Sequence, residues 1–236
     1  MTVPMKVFSR SAMQDYLAND WVAGILGNLA DQNLPTFTSD DWLKFDSAKR
    51  CIYDALYGDL CQSKPLQSIA DIGGGLSSCT WSLFKDHNYT VVDLCNHETE
   101  LRVYEFQKSC PETKLIPTDW QSFEIPQKYD LVIANDLFPN VDQRLDEFLD
   151  KFIPFSKEIR LSLTYFNERK SYQVKRVDAD EVLFIRPWDG SRLVRELQPY
   201  EDRIKNPHFE ILLENEPSLF ANGRQVCMLS LKGDLV

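Results

Sequence analysis

The segment Ser68-Ile69-Ala70-Asp71-Ile72-Gly73-Gly74-Gly75-Leu76-Ser77-Ser78 constrains the fold of this chain more than any other. Ile69, Ala70 and Ile72 read as a short buried strand, and Lys64-Pro65 upstream marks the end of the preceding element. Three successive glycines follow. They permit positive φ and leave the backbone bare, so a ligand can lie directly on it. Ser77 or Ser78 then caps a helix running through Trp81, Leu83 and Phe84. Strand, glycine turn and helix in this order make the nucleotide-binding corner of a doubly wound α/β sheet. A tight strand–helix turn without a ligand is the plainer alternative.

Asp71 bears on which ligand the turn would take. A dinucleotide sets its pyrophosphate against such a turn, where a carboxylate would repel it, and the last glycine of the dinucleotide fingerprint is not met. A ligand with cationic groups is attracted instead. Asp71-Ile72-Gly73-Gly74-Gly75 resembles motif I, acidic-x-Gly-x-Gly, of the class I S-adenosylmethionine-dependent methyltransferases. Their cofactor has no phosphate and carries an ammonium and a sulfonium.

Three later segments extend the resemblance. Asn88-Tyr89-Thr90-Val91-Val92-Asp93-Leu94 is a β-branched run whose Asp93 lies about 20 residues past the glycines, where nucleotide-binding folds put the carboxylate that accepts from ribose hydroxyls. It is similar to motif II. Lys114-Leu115-Ile116-Pro117 gives a third strand and Thr118-Asp119-Trp120 a loop. In the family, an acid here accepts from the adenine amino group and its neighbour packs on or bonds to the ring. Tyr129-Asp130-Leu131-Val132-Ile133-Ala134-Asn135-Asp136 is the clearest strand and resembles motif IV. Together the four cover residues 66–145. They imply S-adenosylmethionine as cofactor, with contacts from Asp71, Gly73, Gly74, Gly75, Asp93, Leu94, Asp119, Trp120 and Asn135.

Before the glycine turn, helical spacing predicts one helix over residues 9–34, ended by Pro35. A second starts near Ser39 with a stripe of Trp42, Phe45, Ile52, Leu56 and Leu60. Residues 1–63 are thus expected to form an N-terminal helical lid, and residues 64–236 the cofactor-binding domain. After motif IV come a fifth strand over 159–165 and a β-hairpin over 172–177 and 181–186, an insertion near 168–188. A helix from Asp189 or Ser191 to about Ile204 follows. Strands over 209–213 and 225–231 complete a doubly wound, seven-stranded, mostly parallel sheet.

Where the family's subgroups differ, this chain departs from them. Asn135-Asp136-Leu137-Phe138 lacks the prolines of the Asn/Asp-Pro-Pro-Tyr signature of nucleobase and glutamine amino-methyltransferases. Phe138-Pro139 stands where many small-molecule O-methyltransferases carry a histidine base. The nominees for proton acceptor are Asp136, Asp142 and Tyr165, with His97 and His208 as outsiders. Asn140 is expected to face the acceptor.

Charge completes the reading. The formal charge of −10 argues against nucleic acid as a partner. Six cysteines without a Cys-x-x-Cys pair fit reduced thiols rather than a disulfide framework or a metal site. No apolar run approaches a membrane span. These features predict a cytoplasmic protein, monomer or homodimer, with a small-molecule partner and no membrane. Residues 151–205 hold 12 Lys and Arg against 9 Asp and Glu, while the remainder is strongly acidic. Arginine suits bidentate recognition of carboxylate or phosphate, which makes Arg169, Arg176 and Arg186 candidate clamps. The expected reaction is O-methylation of a small, anionic (phosphorylated or carboxylated, sugar-like) acceptor in natural-product or surface-glycan synthesis. Rival readings are a nicotinamide oxidoreductase, a non-catalytic partner with a degenerate methyltransferase fold, and a small-molecule N-methyltransferase.

Overall fold

The apolar runs around the glycine turn become the central strands of one sheet, and the amphipathic segments become helices on its two faces. The computed structural model describes residues 4–29, 37–62, 66–109, 114–168, 172–175 and 182–235. In chain order the elements are β1 (Lys6–Val7), α1 (Arg10–Leu17), α2 (Trp21–Leu29), α3 (Thr38–Phe45), α4 (Ser47–Gln62), β2 (Ser68–Ile72), α5 (Ser78–Asp86), β3 (Asn88–Val92), α6 (Glu100–Ser109) and β4 (Lys114–Ile116). They continue with β5 (Tyr129–Phe138), α7 (Leu145–Phe152), β6 (Ser156–Phe166), β7 (Tyr172–Lys175), β8 (Val182–Ile185), β9 (Trp188–Asp189), α8 (Gly190–Leu197) and β10 (Arg224–Lys232).

The main sheet has eight strands in the order β1-β10-β6-β5-β2-β3-β4, with β9 parallel to β6 beside that path. Strands β4, β3, β2, β5 and β6 are parallel, β10 runs antiparallel to β6, and β1 runs antiparallel to β10. Side chains alternate across the pleat. Ile69, Leu131 and Ile133 face a core shared with α1 to α5. Ala70, Ile72, Val132 and Ala134 face one built on Phe138, Phe148 and Leu193. Both faces are covered, so the strands read as nearly continuous apolar runs. The register pairs Ile72 with Val92 and Asp71 with Ile133. That sets Gly73, Asp93 and Asn135 along one rim of the sheet. On the α4 side, the buried Arg160 of β6 donates to Leu56 O at 2.8 Å and to Asp59 at 2.6 Å, and its Nε to Glu158 at 2.9 Å.

Four expectations change. The sheet has eight strands rather than seven, because β1 and β9 join it and residues 209–213 do not. The helix predicted over 9–34 is two, because Asp20 accepts from Ala23 N at 3.1 Å and starts α2; residues 30–36 lie outside the described ones. The stripe from Trp42 to Leu60 is split at Asp46, whose carboxylate accepts from Ala48 N and Lys49 N and caps α4. Phe45, expected on the buried stripe, is 89% exposed at that break. Residues 209–212 form a 3-10 turn rather than a strand. The edge beside β10 is held by β1, with Lys6 opposite Met228 and Val7 opposite Cys227. The turn packs instead against the start of α8, where a Cβ on Gly190 would lie 1.8 Å from Leu212 O. The hairpin forms, with Tyr172 opposite Ile185 and Lys175 opposite Val182 in a separate two-stranded sheet. Among the described residues no helix is long and apolar enough to cross a membrane.

Candidate active site

A cavity of about 560 Å³ opens at the carboxyl ends of β2, β3 and β5, the side of a doubly wound sheet where ligands bind. Its floor is the glycine turn. Gly73 N donates to Val92 O at 2.8 Å, and Gly73 and Gly75 have φ of +71° and +65°. Side chains there would be strained and crowded: a Cβ on Gly75 would meet His97 Nε2 at 2.9 Å and one on Gly73 would meet Leu137 at 3.3 Å. Gly74 is required for a different reason. A Cβ there would lie 2.3 Å from the Asp71 carboxyl atoms.

Asp71 therefore sits beneath the turn, fully buried, and does not line the cleft. One oxygen accepts from Tyr57 Oη at 3.1 Å and from Tyr89 Oη, while the other has no partner among the described residues. Burial pushes its carboxyl up to about 7, against the lowering effect of the two tyrosines. The remaining cofactor candidates, Gly73, Gly74, Gly75, Asp93, Leu94, Asp119, Trp120 and Asn135, all line the cleft. Asp93 follows β3; Oδ2 accepts from Gly75 N at 3.0 Å and Oδ1 from Cys95 N at 2.6 Å. Each oxygen keeps a lone pair for a further donor. Asp119 accepts from Ser122 N and Oγ, bonds that hold its carboxyl below the usual range. Trp120 packs edge-on to Phe148 and spends its indole N–H on Asp142 at 2.9 Å.

The start of α5 is occupied by the protein itself. Ser77 Oγ accepts from Thr80 N at 3.0 Å. Asp40, from α3, accepts from Ser78 N at 2.8 Å and from Ser78 Oγ at 2.7 Å, and also from Phe37 N at the head of its own helix. A helix start behind a glycine turn is where a phosphate would bind, and here a carboxylate of the chain fills that role. Glu98, beyond Asp93, accepts from Thr38 N at 2.6 Å. The head of α3 is thus tied to both loops, and α3 carries Trp42 and Leu43 into the cleft wall, with Trp42 against the ring of His97.

At the end of β5 the register with β6 slips between Asn135 and Phe138, a bulge that re-aims side chains. Asp136 takes φ +57°, a left-handed conformation that Asp tolerates. Its Oδ1 accepts from Thr164 Oγ1 at 2.7 Å and from Asn140 Nδ2, and its Oδ2 from Arg224 Nη1 at 3.2 Å. Asn135 Oδ1 accepts from Ser162 Oγ at 2.7 Å. For Asp142, burial would raise the carboxyl, but bonds from Arg144 and Trp120 outweigh it and hold it low.

Asp136, Asp142 and Asn140 thus reach the cleft, and Tyr165 does not. The pleat of β6 turns Tyr165 into the core with Leu161 and Leu163, away from Ser162. His97 lines the cleft, whereas His208 lies exposed beside Glu210. Of the candidate clamps, Arg186 is exposed and off the cleft, and its carbonyl accepts from Gln143. Arg169 and Arg176 lie outside the described residues. The cleft's own cations are Lys49, Arg144 and Arg224, which the sequence reading missed along with Asp40. Asp40 was visible in the sequence only as a first-turn acid; Arg224 had no local signal at all.

No family model matches the chain, and no curated protein matches it in sequence. Solved structures are similar in fold. The complex of DhpI with SAH is 11% identical, covering 92% of this chain and 97% of that one at a TM-score of 0.52. The 1,6-didemethyltoxoflavin-N1-methyltransferase of Burkholderia thailandensis is 13% identical over 93% of this chain and 89% of that one, at 0.48. An S-adenosylmethionine-dependent methyltransferase from Clostridium acetobutylicum ATCC 824 is 12% identical over 92% and 99%, at 0.47. At 11% identity the likeness to the DhpI complex speaks for the fold alone.

Proposed function

We propose that this chain, whose sheet has the doubly wound fold of the class I S-adenosylmethionine-dependent methyltransferases, binds S-adenosylmethionine and methylates a small-molecule acceptor. The observation that carries the reading is the glycine turn with its phosphate position already filled by Asp40. A pyrophosphate would have to displace a buried carboxylate and approach a second one, Asp71. A nucleoside with cationic groups and no phosphate meets neither obstacle. The residues fit such a ligand: bare backbone at Gly73 and Gly75 and free lone pairs on Asp93.

When bound, the cofactor supplies a methyl group already activated on a sulfonium sulfur. The chain's part is to hold and align. Gly73 to Gly75 would bear the ligand on their backbone, Asp93 would accept from the ribose hydroxyls, and Trp42 and Leu43 would keep water from that side of the cleft. Asn135 and Asp136 would border the acceptor. The carboxylate oxygens of both candidate bases, Asp136 and Asp142, are already engaged. Asp136 already accepts from three donors, and Asp142 is bound by Arg144 and Trp120. This favours an acceptor oxygen that arrives ionised, in keeping with a small anionic substrate acted on by a monomer or homodimer in the cytoplasm.

Titration calorimetry with S-adenosylhomocysteine and with NADH tests the reading. S-adenosylhomocysteine should bind and NADH should not, and Gly73→Val should abolish binding while the circular dichroism spectrum is kept. Binding of NADH without S-adenosylhomocysteine would overturn it.

A further inference from the structure

We infer that Arg224 anchors a carboxylate of the acceptor, so that the substrate is a small carboxylic acid; this rests on the methyltransferase reading and narrows it. Arg224 opens β10 at the cleft rim. Its Nη1 donates to Asp136 at 3.2 Å, and its guanidinium lies over Phe220, 4.0 Å from the ring centroid. Among the described residues this bond to Asp136 is the only one the guanidinium makes. Its Nε is shut off from solvent and has no partner.

Because Nε is covered by the protein, the donors left for a ligand are at the Nη1–Nη2 end of the fork. Two donors in a plane match a planar carboxylate through two parallel hydrogen bonds. Charge selects among anions. Arg224 already shares its charge with Asp136, so a monoanion leaves the cluster at one net negative charge, whereas a dianionic phosphate would face Asp136 at close quarters. Asp136 is the positioning residue. Thr164 and Asn140 hold its Oδ1, which leaves Oδ2 to orient the guanidinium. The cluster lies at the bulged end of β5 next to Asn135, which borders the cofactor side of the same cleft. Anion recognition is thereby assigned to the cleft.

The test uses the full chain saturated with S-adenosylhomocysteine, titrated with benzoate, phenylacetate and lactate, each beside its amide, and with phenyl phosphate. The acids should bind roughly tenfold or more tightly than the amides. Arg224→Gln should erase that preference. Arg224→Lys, which keeps the charge and loses the fork, should lose most of it. Both arginine variants should bind S-adenosylhomocysteine as the wild type does, so failure here is distinct from failure of the methyltransferase reading, in which that ligand would not bind at all. Should Arg224→Gln fail to fold, Arg224→Lys decides. Equal binding of acids and amides, tighter binding of phenyl phosphate than of benzoate, or an unchanged preference in the arginine variants would overturn the inference.

Discussion

Replacing Asp71 with Asn should make the ligand-free protein more stable at pH 8 and change it little at pH 4.5. The carboxyl is fully buried under Gly74, and burial raises it from 3.8 to about 7. In the unfolded chain the group ionises near 3.8, whereas in the folded chain it keeps its proton until about 7. Between those values the folded state binds the extra proton, so the stability present below 3.8 falls as pH rises and is lost by the time pH passes 7. At 1.36 kcal/mol for each tenfold change in acidity, the interval amounts to about 4 kcal/mol. The carboxamide of Asn is close in shape to the neutral carboxyl. Its oxygen can accept from Tyr57 and Tyr89, and it carries no charge to desolvate. Urea unfolding followed by tryptophan fluorescence, from pH 4.5 to 8.5, measures both proteins. The gap should open steadily through that window and flatten above pH 7 to 8. Asp40 is also raised by burial but is present in both proteins, so its contribution subtracts out. Parallel stability curves for wild type and Asp71→Asn would refute the reasoning, since they would mean that Asp71 holds no proton that the unfolded chain has lost.

Two other substitutions probe the cofactor corner and the scaffold. Asp93→Ala removes the acceptor for two ribose hydroxyls, each bond to a charged group being worth about 1.5–3 kcal/mol. S-adenosylhomocysteine should therefore bind at least roughly tenfold more weakly in calorimetry, and unchanged affinity would reduce Asp93 to a partner of Gly75 and Cys95. Arg160→Ala leaves Asp59 and Glu158 without their buried partner, a loss of about 3–5 kcal/mol by the usual cost of breaking such pairs. A thermal midpoint within a degree of wild type would contradict it.

The sequence by itself determined the strand–glycine–helix corner, the strands on either side of it and the rim acids. Each depends on local pattern: β-branched runs, residues that tolerate positive φ, and a carboxylate at a strand end. Of the residues expected at the cofactor, the eight that line the cleft lie in or immediately beyond such elements. Local pattern also misled where a single side chain overrode it. Asp20 and Asp46 each cap a new helix in the middle of an apolar stripe, and no periodicity reveals which acid will do so. Tyr165 is polar and near the right strand end, but the alternation of β6 fixes it in the core.

What only the tertiary structure decided lies in contacts between distant parts of the chain. Asp40 meets Ser78 across 38 residues and Arg224 meets Asp136 across 88. The first fills the place a phosphate would take, and the second sets an arginine beside an acid in the cleft. In the same way β1, from the other end of the chain, takes the edge that the sequence assigned to residues 209–213. A hydrogen bond or ion pair of this kind depends on sheet register and on which segment reaches an edge first. Those are outcomes of burying two apolar faces at once, and no window of neighbouring residues contains them.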